Sequence, residues 1–237
     1  MWMNGIRQSI VLCIFIYAVK YIKEKNLIKY LFWVIISYFI HKSALLLIPL
    51  YFIFVFDKDF FKNIWIQLAL IIIALILSYK DILSNIVPYL EQAVNFLDYS
   101  QYENVEHQLS LRQNEFNRSV RFYFPLLINI IIVLFSKKLK ANFINSNFNI
   151  YYNIYFIGVL GSLIFYNNPL MQRPLLYFIF SGFIIASYLL FFLWENLKTH
   201  KLYLPMFIFL IVLHLSILYA YIVSDFHTNY YFIWDKI

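Results

Sequence analysis

The five arginines, Arg7, Arg112, Arg118, Arg121 and Arg173, are the residues in this chain best suited to gripping an anion. A guanidinium offers two parallel N–H donors to a phosphate or carboxylate, which a lysine ammonium does not. Two of them stand in polar clusters that open apolar runs: Asn4-Gly5-Ile6-Arg7-Gln8, and Asn167-Asn168-Pro169-Leu170-Met171-Gln172-Arg173-Pro174 with Tyr177 just beyond. Arg118 and Arg121 share one face if the segment is helical, and Arg112 precedes them in a stretch containing Asn, Gln, Ser and Glu115. A fourth cluster, His41-Lys42-Ser43, carries an imidazole, whose unperturbed pKa of about 6.5 suits proton transfer. Each cluster also has a plainer reading. Arg7 and Gln8 can snorkel to a membrane interface, His41 can be a hydrogen-bonded turn residue, and a skew among five arginines can be chance.

Other chemistries have no residues to serve them. There are four glycines and no phosphate-cradling loop, and no His or Cys spacing that would hold a metal. The single Cys13 leaves no partner for an intramolecular disulfide. The acids outside the lysine-rich turns (Asp81, Glu91, Asp98, Glu103, Glu106, Glu115, Asp225 and Asp235) are scattered, whereas a divalent cation needs them clustered. The expectation is therefore no metal and no cofactor.

The elements that must position these residues follow from composition. Of 237 residues, 63% are hydrophobic and 13% charged, too little polar surface for a soluble domain of this length. Long unbroken apolar runs, without strand-like alternation, predict an all-α integral membrane protein rather than a barrel. A span needs about 20 apolar residues. Eight candidates fit or approach this: 5–22, 28–41, 43–56, 63–79, 120–136, 150–166, 174–194 and 203–223, forming one transmembrane domain over 1–237. The second and third are short. They read as a hairpin turning at His41-Lys42-Ser43, with a buried re-entrant pair as the alternative, and Pro49 is expected to bend the third helix. Pro174 suits the first turn of the seventh. Residues 80–119 form a long polar loop between the fourth and fifth spans.

Placing odd spans outward-to-inward puts eleven lysines (Lys20, Lys23, Lys25, Lys29, Lys58, Lys62, Lys137, Lys138, Lys140, Lys198 and Lys201) on the cytoplasmic side and every arginine on the other. The formal charge of +7 is then a topology signal and not a nucleic-acid footprint. Both termini fall outside. With only three residues before Asn4, this predicts that helices are missing upstream.

The run Asn4-Gly5-Ile6-Arg7-Gln8-Ser9-Ile10, the Lys-rich turn after Lys23, and Phe39-Ile40-His41-Lys42-Ser43-Ala44-Leu45 together resemble the core of the EpsG family of bacterial polysaccharide polymerases, which are Wzy-like in role. Gln172-Arg173-Pro174-Leu175-Leu176-Tyr177-Phe178 is similar to that family's arginine and Tyr-Phe segment. Members usually carry further spans ahead of the Asn-x-x-Arg-Gln segment, so the chain resembles an N-terminally truncated member. The resemblance implies lengthening of a glycan carried on polyprenyl diphosphate, at the outer face of the bacterial cytoplasmic (inner) membrane, toward exopolysaccharide, capsule or O-antigen. Its partners would be the lipid-linked oligosaccharide, the bilayer, a flippase and a chain-length regulator. It directs attention to Asn4, Arg7, Gln8, His41, Ser43 and Arg173. Within that scheme His41, Arg7 and Arg173 are the expected catalytic residues, with Glu115 a reserve base. Arg121 would assist with the leaving diphosphate, Arg112 and Arg118 would guide the head group, and Asn4, Gln8, Ser43 and Tyr177 would bind substrate. The alternatives are a lipid-linked oligosaccharide flippase, a membrane sugar acyltransferase or a non-catalytic membrane subunit.

Overall fold

A computed structural model describes residues 2–78, 120–144, 146–166 and 169–225. Side chains at 2–5, 120–121, 169–171, 173 and 220–225 are outside that description. Among the described residues the chain is all-helical: α1 (Trp2–Lys23), α2 (Leu27–Ile40), a 3-10 helix (Lys42–Leu47), α3 (Ile48–Phe54), α4 (Ile64–Leu77), α5 (Val120–Asn142), α6 (Phe148–Ile164), α7 (Pro169–Ile179), α8 (Ser181–Glu195) and α9 (Tyr203–Asp225).

The Asn26 N–H reaches back to Tyr21 O at 2.9 Å, with Lys25 left-handed between them at φ 53°. That closes α1 in the way a C-terminal glycine usually does. Asn26 then caps α2, its side chain accepting from Lys29 N at 3.1 Å, so the reversal takes three residues. α2 returns through the 3-10 helix to α3. The Tyr30 hydroxyl donates to Leu47 O at 2.7 Å, and its ring lies 5.3 Å from that of Tyr51. The hairpin turning after His41 is therefore present, but not as one bent helix. Pro49 sits in the first turn of α3 instead of inside a longer helix. A proline supplies no N–H and disfavours α geometry at the residue before it, so it starts helices more readily than it continues them. The expectation for Pro174 is corrected in the opposite sense. It lies inside α7, which begins at Pro169, a better N-terminal proline.

Among the described residues two helices are long and apolar enough to cross a bilayer, Phe122–Asn142 and Pro174–Glu195, at 21 and 22 residues. The second runs through the α7–α8 junction, where Phe180 keeps helical angles (φ −61°, ψ −29°). Five shorter apolar helices accompany them. At 1.5 Å per residue a 14-residue helix covers about 21 Å, short of the roughly 30 Å hydrocarbon core. Of the eight candidate spans, two thus reach full length among the described residues, with shorter apolar helices beside them. Large apolar side chains such as Ile28, Phe39 and Trp65 lie outermost, 83%, 82% and 78% exposed. α6 is the opposite: Ile150 through Phe156 are all buried, making it the central helix.

At one end of the bundle the lysine-bearing turns converge. Lys23 Nζ donates to Ser146 O at 3.0 Å, and Lys138 Nζ to Tyr203 OH at 3.1 Å. Lys140 Nζ pairs with Asp59 Oδ1 and donates to Phe61 O, both at 2.6 Å. Around this pair Gln67 Nε2 also donates to Phe61 O, Tyr152 donates to Gln67 Oε1, and Asn153 Nδ2 donates to Lys58 O. The segment joining α3 to α4 is thereby pinned onto α5 and α6. Lys140→Met leaves Phe61 O and Asp59 without their cation and should cost about 2 kcal/mol. The check is the melting temperature of the detergent-solubilised protein. Combining it with Asp59→Asn should cost less than the sum of the single changes.

Candidate functional site

The opposite end carries the His41 turn with Ser43 and, on α7, Gln172 and Tyr177. α1 brings Arg7 and Gln8 there. From Lys23 back to Arg7 is about 24 Å of helix, and α2 runs about 20 Å from Leu27 to Ile40, so Arg7 stands level with the His41 turn. Arg7 is exposed, whereas Gln8 is buried.

His41 ends α2 in extended geometry (φ −152°, ψ 118°), its N–H still donating to Ser37 O at 2.8 Å. Its own carbonyl accepts from Ala44 N at 3.0 Å and opens the 3-10 helix. The imidazole is half-buried. Two residues on, Ser43 is turned inward, and its hydroxyl lies 2.7 Å from the Tyr177 hydroxyl. Both side chains are buried, 4% and 1% exposed, and 134 residues separate them in sequence. Tyr177 sits one turn beyond position 173 on the same face of α7. The clasp therefore joins the His41 turn to the helix that carries Arg173.

α7 is held in turn by α6. Gln172 Nε2 donates to Ser162 O and Phe165 O at 3.1 and 3.0 Å, satisfying carbonyls that a helix end leaves without intrahelical partners. Below this joint the two helices touch backbone to backbone. A Cβ built on Gly158 would lie 2.8 Å from Phe178 C and Cβ and 2.9 Å from Ile179 N. Small residues at such positions let apolar helices approach closely.

The side chains of Asn4, Arg121 and Arg173 lie outside the described residues, as do Arg112, Glu115 and Arg118 altogether, and with them the 80–119 loop. The structure brings together the His41 turn, Ser43, Tyr177 and the backbone of α7. Within this group Ser43 and Tyr177 bond to each other. Sequence inspection did not anticipate the buried set at the lysine end. Lys140 reads as a topology charge, and nothing short of contact reveals Asp59, Gln67, Tyr152 and Asn153 as its companions. Among the described residues no group of His, Cys, Asp or Glu could hold a metal ion.

Ser43→Ala and Tyr177→Phe each remove one hydroxyl from the clasp. Each should destabilise by about 1 kcal/mol, because the hydrogen bond joining the His41 turn to α7 is lost. The double variant should then be little worse than either single one. Additive losses in thermal melts would mean that the two hydroxyls are not coupled.

A helical bundle with an apolar exterior, one lysine-rich end and one end bearing the imidazole and arginine positions is a membrane protein. The chain belongs to the EpsG family, whose sequence pattern matches residues 1–234. Membership connects it to membrane-associated polysaccharide biosynthesis and a polymerase-type role. No curated protein and no solved structure matches it.

Proposed function

We propose that this chain polymerises lipid-linked oligosaccharide repeat units at the outer face of the bacterial cytoplasmic membrane, as a multi-pass glycosyltransferase. The observation that carries the reading is the Ser43–Tyr177 clasp. It ties the His41 turn to the helix bearing Arg173, at the level α1 reaches with Arg7.

The donor is a growing glycan on polyprenyl diphosphate, and the acceptor is a hydroxyl on the terminal sugar of the next lipid-linked unit. That oxygen bonds to the donor's anomeric carbon as the bond from that carbon to the diphosphate oxygen breaks. The diphosphate departs with the electron pair, and His41 accepts the acceptor's proton. Charge grows on the leaving diphosphate, where fixed guanidinium groups stabilise it. Arg7, Arg121 and Arg173 take that role, Arg112 and Arg118 guide the acidic head group, and Asn4 and Gln8 contribute hydrogen bonds. Ser43 and Tyr177, whose hydroxyls engage each other, hold the two halves in register. The scheme requires neither a metal nor another cofactor. A flippase should place cations within a central cavity and on both faces, whereas His214 is essentially the one ionisable residue that the sequence places midspan, which favours the polymerase reading. A flippase and a chain-length regulator remain the expected partners.

Deleting the gene should remove long polymer while single repeat units accumulate on the lipid carrier at the outer face, and the intact chain should restore the ladder. Accumulation of units on the cytoplasmic side instead would identify a transport defect and overturn the assignment.

A further inference from the structure

We propose that the lysine end of the α1–α2 hairpin is a binding site for an anionic phospholipid. Lys20 and Lys29 take the headgroup phosphate, and the acyl chains lie along the exposed faces of the two helices. The inference does not depend on the chemistry assigned to the arginine end.

Lys20 Nζ lies 3.8 Å from the ring centroid of Tyr17 and 4.8 Å from that of Tyr21, and Lys29 Nζ lies 5.8 Å from Tyr21. An aromatic face steadies an ammonium without supplying a counter-charge. Among the described residues neither lysine is ion-paired with a carboxylate. The turn between the helices holds Lys23, Lys25 and one acid, Glu24. With Lys20 and Lys29 that is four cations, set against Glu24 and against Asp57 beside Lys23. The tyrosine hydroxyls lie 3.4 Å apart, and Trp33 meets Tyr17 edge-on at 5.1 Å. Along the hairpin axis the order is Trp33 and Tyr17, then Tyr21 and Lys20, then Lys29 at the mouth. Apolar-to-aromatic-to-cationic is the profile of a bilayer from acyl region to anionic headgroup.

Both helices present exposed apolar rows. On α1 these are Ile6, Ile10, Cys13 and Tyr17, and on α2 Ile28, Phe32, Ile35 and Phe39. Each row steps by four, three and four, which keeps it on one helix face. A phospholipid has two chains and one anionic head, and this hairpin has an exposed apolar row on each helix and a group of cations at its turn. A zwitterionic headgroup would bring its own cation among the four.

A variant retaining Trp33 alone, with Trp2, Trp65, Trp194 and Trp234 changed to Phe, reports lipid at this position through quenching by brominated acyl chains. In mixed vesicles, brominated phosphatidylglycerol should quench about fivefold more effectively, per mole of lipid, than brominated phosphatidylcholine. Lys20→Gln with Lys29→Gln should bring the ratio close to one, and Lys198→Gln with Lys201→Gln, in a different turn, should leave it unchanged. If the first pair does not fold, the unaltered lysines in 1 M salt should lose the preference, since screening then acts within about 3 Å. Equal quenching by both lipids, or a preference insensitive to both salt and the Lys20–Lys29 pair, would overturn the proposal. So would an equal loss in the Lys198–Lys201 control.

Discussion

Arg7→Ala and Arg173→Ala should each abolish long-chain polymer while leaving single repeat units on the lipid carrier. If each guanidinium stabilises charge on a departing diphosphate, its removal should slow transfer by about 10²–10³-fold, as for loss of one preorganised donor at a developing oxyanion. Lysine substitution should rescue poorly, because a single ammonium cannot reproduce a two-pronged contact. The two positions reach the same end of the bundle by different routes. Arg7 arrives on α1, anchored to the centre by Tyr151 OH donating to Ile16 O at 3.1 Å. Position 173 arrives on α7, held by Gln172 and by the clasp at Tyr177. Normal chain-length ladders on gels from both variants, expressed at wild-type levels, would remove these residues from the mechanism.

Gly158→Ala should damage both the fold and the activity. The added methyl would meet the α7 backbone at Phe178 and Ile179, and backbone cannot rotate aside. The helices must separate, at a cost of about 3 kcal/mol, the upper end of ordinary overpacking. Tyr177 adjoins Phe178, so the same displacement draws its hydroxyl away from Ser43 and moves Arg173 relative to His41. Folded yield in detergent and polymer length should therefore fall together. Gly161→Ala provides the contrast. Its new methyl would meet only the side chain of Leu175, which can change rotamer, so this variant should lose less stability. A Gly161 variant less stable than the Gly158 one would show that the α6–α7 backbone approach is not what limits packing here.

Much of the organisation is legible without coordinates. Apolar runs broken by charged turns locate the helices, and the hairpin reversal at His41-Lys42-Ser43 is where chain polarity predicts it. Lysines collect at helix ends and turns because charged residues are too costly to place mid-bilayer. Helix boundaries at prolines are less legible. Pro49 and Pro174 fit several registers, and the neighbouring helix decides between them.

The sequence by itself determined that this is a helical membrane protein, which loops share an end, and which family it belongs to. Hydropathy, charge and short motifs are properties of the chain read in order. Only the tertiary structure decided that α6 is central, that Lys140 is engaged by Asp59, and that Ser43 meets Tyr177. The physical reason is that lipid is as apolar as a protein core. A side chain facing acyl chains and one facing another helix obey the same hydropathy, so the exposed Phe39 and the buried Phe156 are indistinguishable until the helices are packed.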